Sequence, residues 1–227
     1  MSYAALATDY DGTIARDGRL EDSAIAALSR LREAGWRLIL ATGRELGDLQ
    51  VLTSELTLFD RVVAENGAVL HTPATGHVRL LARPPPLSFT ARLAAEGVDP
   101  LHQGQVIVET WQEHEGRVRA AIGELGLDLE LAANKGALMI LPAGVSKATG
   151  TAEALRELGI PSAACVAVGD AENDLELLAL CGLSVAVANA LPSVKMAASL
   201  VVEAERGAGV AELVRYLLAS ASAPAAP

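Results

Sequence analysis

The stretch Thr8-Asp9-Tyr10-Asp11-Gly12-Thr13 places two carboxylates two residues apart, directly after the apolar run Ala4-Ala5-Leu6-Ala7. Such a run is typical of a buried strand, so Asp9 and Asp11 fall where that strand ends. Asp-Gly also favours a tight turn. The stretch alone therefore fits either an ordinary turn or a carboxylate pair that holds a divalent cation while one member attacks a substrate.

The composition limits which partners are plausible. The chain has 227 residues, 51% of them hydrophobic, which is enough for one large domain or two unequal ones. With 18 Lys and Arg against 28 Asp and Glu, the formal charge is −10, so nucleic acid is not an expected partner. Cys165 and Cys181 form no CxxC pair and lie in apolar sequence, which predicts buried thiols rather than a disulfide or zinc site.

Targeting and membrane segments are not expected. No apolar run approaches the roughly 18 residues that a membrane span needs, and the N-terminus lacks the pattern of a cleaved signal peptide. Together with the cysteines, these features favour a cytoplasmic protein without a membrane partner. The segment 220–227 contains little to bury and is predicted to be a flexible tail.

Short aliphatic runs alternate with longer amphipathic stretches, which is typical of βα units and of a largely parallel sheet buried on both faces. The predicted strands are Ala4–Thr8, Arg37–Ala41, Arg61–Ala64, Cys165–Val168, Ser184–Ala188 and Leu200–Val202. The predicted helices of this α/β unit are Ser23–Ala34, Ser146–Leu158, Ala171–Leu180 and Gly209–Ala219.

The middle of the chain departs from this alternation after Arg83-Pro84-Pro85-Pro86. The pattern there predicts a helix, a strand, a second helix and two further strands, at Leu87–Glu96, Gln105–Thr110, His114–Leu125 and on either side of Asn134-Lys135-Gly136. The Asn/Gly-rich spacer favours a hairpin. We therefore predict an α+β domain over residues 83–143, inserted into a core formed by residues 1–82 and 144–219.

Three further polar stretches lie where predicted strands end or helices begin. Thr42-Gly43-Arg44 follows the second strand, where ligands of open α/β sheets bind, although Thr42 also fits an ordinary helix N-cap. In Gly169-Asp170 to Asn173-Asp174, two carboxylates lie one helical turn apart, and they too could cap a helix. Lys147 begins a helix, where its charge opposes the helix dipole, which favours a functional role.

Four carboxylates would then meet at one edge of the sheet, namely Asp9, Asp11, Asp170 and Asp174. Without a cation, their mutual repulsion would raise some of their pKa values and destabilise the fold. Oxygen ligands with no nearby His or Cys suit Mg²⁺, which also accepts phosphate oxygens. Thr42 and Lys147 then fit the role of phosphate binders.

These motifs, in this order and around a mid-chain insertion, resemble those of the haloacid dehalogenase superfamily of phosphatases. The resemblance rests on Asp9-Tyr10-Asp11-Gly12-Thr13, Thr42-Gly43-Arg44, Lys147 and Gly169-Asp170 to Asn173-Asp174, with Glu65-Asn66-Gly67-Ala68 and residues 185–190 in support. The chain is most similar to the Cof-type group with a short C2 cap, which includes archaeal-type phosphoglycolate phosphatases. The resemblance implies a Rossmann-like core and makes the inserted domain the cap.

The resemblance also implies roles for the matched residues. Asp9 would be the nucleophile that forms an aspartyl phosphate, and Asp11 would protonate the leaving oxygen and then activate water. Mg²⁺ would be held by Asp9, the Asp11 carbonyl and Asp170, with Asp174 as a further or water-mediated ligand. The implied substrate contacts come from Thr42, Gly43, Arg44, Lys147 and Asn173.

The expected function is Mg²⁺-dependent hydrolysis of a small phosphorylated metabolite, such as phosphoglycolate or a sugar phosphate. The alternatives are a phosphomutase and a non-catalytic phosphate-binding protein, although the latter would not need Asp11 beside Asp9. Arg44 and Lys135 are candidates to meet an anionic leaving group, but Lys135 also fits an exposed hairpin tip, and Asn66 also fits a simple turn. The oligomeric state is open, with a homodimer as one expectation.

Overall fold

The computed structural model describes residues 3–134 and 136–221. Its strands are, in chain order, β1 (Ala5–Thr8), β2 (Ala15–Arg16), β3 (Arg19–Leu20), β4 (Arg37–Ala41), β5 (Arg61–Ala64), β6 (Val69–Thr72), β7 (His77–Leu80), β8 (His102–Gln103), β9 (Val108–Trp111), β10 (Leu129–Asn134), β11 (Ala137–Pro142), β12 (Cys165–Gly169), β13 (Leu183–Ala186) and β14 (Leu200–Val201). Its α-helices are α1 (Asp22–Glu33), α2 (Leu46–Leu52), α3 (Leu87–Ala95), α4 (Glu115–Leu125), α5 (Lys147–Leu158), α6 (Leu175–Leu180), α7 (Pro192–Ala197) and α8 (Arg206–Ala221).

An eight-stranded sheet in the order β14-β13-β12-β1-β4-β5-β6-β7 forms the centre of the fold. The pairs from β14 to β5 are parallel, and β5-β6-β7 are antiparallel. Every residue of β1 and β12 is buried, as parallel strands covered by helices on both faces require. The predicted α/β fold with a mainly parallel sheet is therefore confirmed. The antiparallel hairpin β6–β7 was not predicted.

A second, four-stranded antiparallel sheet in the order β10-β11-β9-β8 lies in the middle of the chain, with α3 and α4. It has its own apolar cluster, which includes Phe89, Leu93, Val118 and Ile140. The predicted hairpin is present as β10 and β11. These elements, α3 to β11, lie inside the predicted insertion, whose boundaries at residues 83 and 143 stay a prediction.

Two predicted elements differ from the structure for identifiable reasons. The strand expected at Gln105–Thr110 begins only at Val108, because the N–H groups of residues 105–107 bond to the Glu65 side chain and not to a neighbouring strand. The helix expected at Ala171–Leu180 is a 3₁₀ turn, Glu172–Asp174, followed by α6. The Asp174 carboxylate accepts the N–H groups of Asp170 and Ala171, so side-chain bonds replace helical ones there.

The C-terminal helix extends into the segment that was predicted to be a tail. Helix α8 runs to Ala221, beyond the expected start of the tail at Ser220, and the rest of the predicted tail lies outside the described residues. Cys165 is buried, Cys181 is partly buried, and both are free thiols. Among the described helices, none combines the length and the apolar character that crossing a membrane requires.

Candidate active site

The site begins at the carboxyl end of β1, where Asp9 leaves the sheet. Its N–H donates to the carbonyl of Val168 on β12 (3.0 Å), and its side chain is almost fully buried. Gly12 adopts a φ of 87°, which suits glycine, and its N–H donates to the Ala15 carbonyl at 3.1 Å. Thr13 Oγ1 donates to Asp170 Oδ1 (3.4 Å), so the loop is tied to the end of β12.

Lys147 is the central cation of the site. Its Nζ donates to Asp9 Oδ1 at 2.6 Å and to Asp174 Oδ1 at 2.7 Å, although the residue is only 2% exposed. Helix α5 begins at Lys147, directly after its N-cap Ser146, which forms a reciprocal capping box with Thr149. The two carboxylates compensate the unfavourable position of a lysine in the first turn of a helix.

Asp9, Asp170 and Asp174 form a buried cluster in which one carboxylate oxygen from each residue lies within 4.8 Å of the other two. Burial raises the pKa of Asp9, and the negative charges of Asp174 and Asp170 raise it further against the opposing effect of Lys147. Lys147 thus pairs with two of the three carboxylates, Asp9 and Asp174, and the ligand atoms that the cluster offers are all oxygen. This donor set fits a divalent cation such as Mg²⁺.

The carboxylate of Asp174 accepts three hydrogen bonds from the protein. Its Oδ1 accepts from Lys147, while its Oδ2 accepts the N–H groups of Asp170 (2.9 Å) and Ala171 (3.0 Å). Because both oxygens are already engaged, Asp174 positions Lys147 and the Asp170 backbone. Asp174 therefore has a positioning role in addition to the metal role that the sequence predicts.

The Asp11 side chain lies outside this cluster and forms a bidentate pair with Arg44. Arg44 Nε donates to Asp11 Oδ2 (2.5 Å) and Nη2 donates to Oδ1 (2.8 Å), while the guanidinium lies 5.7 Å from the centre of the Tyr10 ring. The hydrogen bonds that Asp11 accepts raise the pKa of Arg44. The sequence did not predict this pairing, which occupies the guanidinium that was expected to meet a leaving group.

A cavity of about 620 Å³ lies beside Asp9, Lys147 and the Asp11–Arg44 pair. The structure brings seven of the predicted site residues to its lining, namely Asp9, Asp11, Thr42, Gly43, Arg44, Lys147 and Asn173. The inserted domain contributes His102, Gln103, Glu109, Ala137 and Met139 from the opposite side. Asp170 and Asp174 belong to the carboxylate cluster beside Asp9, and Lys135 lies outside the described residues.

The other predicted binding residues have specific local bonds. Thr42 Oγ1 accepts the N–H of Arg44 (3.1 Å), which shapes the turn after β4. Asn173 Nδ2 donates to Asn66 Oδ1 at 3.2 Å. The buried Asn173 Oδ1 has no hydrogen-bond partner within the described part of the chain.

Three acidic residues that line the cavity were not predicted from the sequence, namely Glu45, Asp48 and Glu109. Glu109 was included in a predicted strand, and the period-2 alternation of that strand carried a usable signal. Val108 packs into the apolar cluster of the inserted domain, so its neighbour Glu109 faces the other way. No comparable local pattern indicated Glu45 or Asp48.

Glu109 gives the protein a predicted pH dependence. Burial, with the charges of Glu45, Glu65 and Asp48, raises its pKa to about 7. The native state therefore binds more protons than the unfolded state between the two pKa values, and the free energy of unfolding falls as pH rises from about 4.5 to 7. Allowing for partial exposure, we expect Glu109→Gln to be more stable than the wild type by about 1–2 kcal/mol at pH 8 and to lose this advantage at pH 5.

Urea denaturation at the two pH values checks this prediction, with Glu130→Gln as the control. Glu130 is an exposed carboxylate in the same domain, so its replacement is expected to leave the pH dependence unchanged. The same stability difference between Glu109→Gln and the wild type at both pH values would contradict the prediction.

Comparison with known proteins adds independent information about the chain. The family model described as haloacid dehalogenase-like hydrolase matches residues 6–80 and 110–214. A phosphoglycolate phosphatase of Aeropyrum pernix is 33% identical over 238 aligned positions, which cover 99% of this chain and 97% of that protein. A phosphoglycolate phosphatase of Methanothermobacter thermautotrophicus is 34% identical and covers 94% of this chain and 98% of its own length.

A solved structure from Thermoplasma acidophilum agrees with the fold. It superposes with a TM-score of 0.81 at 16% identity, covering 96% of this chain and 99% of that one. At this level of identity the likeness concerns the arrangement of helices and strands. The two sequence relatives and the structural neighbour each align with 94% or more of this chain.

Proposed function

This chain belongs to the haloacid dehalogenase-like hydrolase family and is a phosphatase, and we propose that it hydrolyses small phosphomonoesters with Mg²⁺ through an aspartyl phosphate on Asp9. The observation that carries the proposal is the position of Asp9, a buried carboxylate that opens onto a cavity of about 620 Å³ beside Lys147. A nucleophile needs this combination of access to the substrate and a nearby positive charge.

The metal would be held by Asp9, Asp170 and the Asp11 carbonyl, with Asp174 as a further or water-mediated ligand. When bound, Mg²⁺ supplies positive charge to the phosphoryl oxygens and offsets the repulsion among the carboxylates. Lys147 contributes a second, permanent charge, because Asp174 and Asp9 raise its pKa against the opposing effect of burial. Thr42 and Gly43 also line the cavity, and they would orient the phosphate.

The reaction would proceed in two displacements. An oxygen of Asp9 attacks phosphorus, the ester bond breaks, and Asp11 donates a proton to the leaving oxygen. Water then attacks the aspartyl phosphate, Asp11 accepts its proton, and inorganic phosphate is released. Since Arg44 binds both oxygens of Asp11, each proton transfer requires one of these hydrogen bonds to be exchanged for a bond to the substrate or water.

The substrate we favour is phosphoglycolate or a similarly compact acid or sugar phosphate. Two relatives that match nearly the whole chain are named phosphoglycolate phosphatases. The cavity is closed on one side by the inserted domain, which we take to be a cap over residues 83–143. A cytoplasmic location and a homodimer are further proposals that rest on the sequence, as is the absence of nucleic-acid and membrane partners.

Removal of the metal is a direct test of this function. We expect the purified protein to release inorganic phosphate from p-nitrophenyl phosphate and from members of a phosphorylated metabolite panel when Mg²⁺ is present. A chelator should reduce the rate to background, and excess Mg²⁺ should restore it, because the carboxylate cluster alone does not neutralise the phosphoryl group.

Two results would contradict the proposal. The first is full activity after exhaustive chelation, and the second is no phosphate release from any panel member. Transfer of the phosphoryl group to a second metabolite without free phosphate would instead favour a phosphomutase. Acid quenching followed by mass spectrometry of the peptide that contains Asp9 tests the covalent intermediate separately.

A further inference from the structure

Glu65 is a fully buried carboxylate that the proposed reaction does not use. Its Oε1 accepts the N–H of Gln105 (2.9 Å), and its Oε2 accepts the N–H groups of Val106 (2.8 Å) and Ile107 (3.0 Å). These three amides belong to the turn between β8 and β9 of the inserted domain. Within the described part of the chain Glu65 forms no ion pair, so successive N–H groups alone offset its charge, as in a backbone anion nest.

The backbone of Glu65 and Asn66 binds the turn after β4, on the core side of the cavity. The N–H of Glu65 donates to the carbonyl of Arg44 and the N–H of Asn66 donates to the carbonyl of Thr42, both at 2.9 Å. Glu65 and Asn66 adopt φ values of 50° and 52°, a left-handed conformation that is uncommon and costly for residues other than glycine. One residue therefore contacts the phosphate side through its backbone and the inserted domain through its side chain.

The turn at residues 104–107 is shaped to receive this carboxylate. A Cβ on Gly104 would lie 2.7 Å from Glu65 Oε2, closer than a side chain tolerates. Val106 and Ile107 are fully buried and pack in the larger apolar cluster of the core rather than in the cluster of their own domain. His102 and Gln103, directly before the turn, line the cavity.

We infer that Glu65 is a positioning residue that holds the 104–107 turn of the inserted domain closed over the cavity and couples this closure to the Thr42–Arg44 turn. When the domain opens, the carboxylate loses its three amide partners together, so the three hydrogen bonds stabilise the closed state cooperatively. Opening is needed for substrate entry and phosphate release. The catalytic part of this inference rests on the proposed function, whereas the closure itself does not.

The first test measures closure without using turnover. In Glu65→Gln, an amide NH₂ replaces one acceptor oxygen and the negative charge is removed, so at least one bond to the turn is lost. We expect hydrogen exchange of the Gln105, Val106 and Ile107 amides to accelerate by at least about tenfold in the full-length protein, the factor that corresponds to 1.4 kcal/mol. The exposed Glu130→Gln serves as the matched control and should leave this exchange unchanged.

The second test is a double-mutant cycle between Glu65 and Gly104. Gly104→Ala should accelerate exchange of the turn amides in the wild-type background, because its Cβ meets the carboxylate. In Glu65→Ala the space is vacated, so the same substitution should have a much smaller effect. Strictly additive effects of the two substitutions would overturn the inference. If Glu65→Ala does not fold, Glu65→Asp with Gly104→Ala supplies the cycle, because the shorter side chain withdraws its carboxylate from Gly104.

Kinetics then connect closure to catalysis. We expect Glu65→Gln to raise KM for the best metabolite by about tenfold, with a smaller change in kcat, since the chemical groups stay in place and only the closed state is weakened. Unchanged amide exchange and KM in Glu65→Gln would overturn the inference. Failure of the wild-type protein to release phosphate would instead overturn the proposed function and leave the exchange result standing.

Discussion

Replacement of Asp9 by asparagine is expected to reduce phosphate release by at least about 10³-fold, because an amide cannot act as the attacking nucleophile. The substitution keeps the shape of the side chain, and its remaining oxygen still accepts a hydrogen bond from Lys147. It also removes one of three clustered negative charges while weakening one ion pair. Since these two effects oppose each other, we expect the free energy of unfolding to change by less than about 1 kcal/mol.

The measurement is kcat/KM for Asp9→Asn beside its unfolding midpoint, together with mass spectrometry for the phosphorylated peptide. Asp11→Asn is the matched variant, since it retains the nucleophile and removes the acid. With p-nitrophenyl phosphate, whose leaving group needs little protonation, Asp11→Asn should still phosphorylate Asp9 and then lose the phosphate slowly. Activity of Asp9→Asn above a tenth of the wild type would contradict the nucleophile assignment.

Replacement of Lys147 by methionine is expected to have the largest effect on stability. The long apolar side chain fills a similar space, but Asp9 and Asp174 are left buried without the cation that they share. Loss of one partner from a buried ionic group costs about 3–5 kcal/mol. Activity should fall as well, because the phosphoryl group loses its permanent positive partner.

The pH dependence of this variant has a defined sign. Without Lys147, the buried carboxylates hold protons to a higher pH than in the unfolded chain, so the native state is favoured at low pH and loses stability as pH rises. The defect should therefore be greater at pH 8 than at pH 5, and Mg²⁺ should reduce it. Lys195→Met is the control, since Lys195 is partly exposed and forms no ion pair among the described residues. Equal stability of the two variants at pH 8 would contradict this account.

The strands show where sequence reasoning succeeded and where it failed. Arg37–Ala41 and Arg61–Ala64 were predicted with the observed bounds, because strands buried on both faces are continuous apolar runs flanked by polar residues. The hairpin β6–β7 was missed, since its second strand is largely exposed and lacks that pattern. Helix α2, with only seven residues, was too short to show a clear period.

The sequence by itself determined the chemistry available at the edge of the sheet. Asp9, Asp170 and Thr42 directly follow β-strands, and the carboxyl ends of parallel strands meet at one edge, so their proximity follows from local pattern and a general rule of α/β folds. Lys147 was notable because its charge opposes a helix dipole. The structure places it within 2.7 Å of two carboxylates.

Only the tertiary structure decided which of these groups pair with one another and what faces them. Arg44 pairs with Asp11, which lies 33 residues away, and the 104–107 turn binds Glu65 across as many as 42 residues. Glu109, on a strand of the second sheet, faces the cavity beside the first. The position of Glu109 and the contact between Glu65 and the 104–107 turn depend on how the inserted domain packs against the core, whereas the Arg44–Asp11 pair depends on how the loops after β1 and β4 meet. No periodicity or turn pattern within either segment encodes that packing, because each segment alone is compatible with many positions of the other.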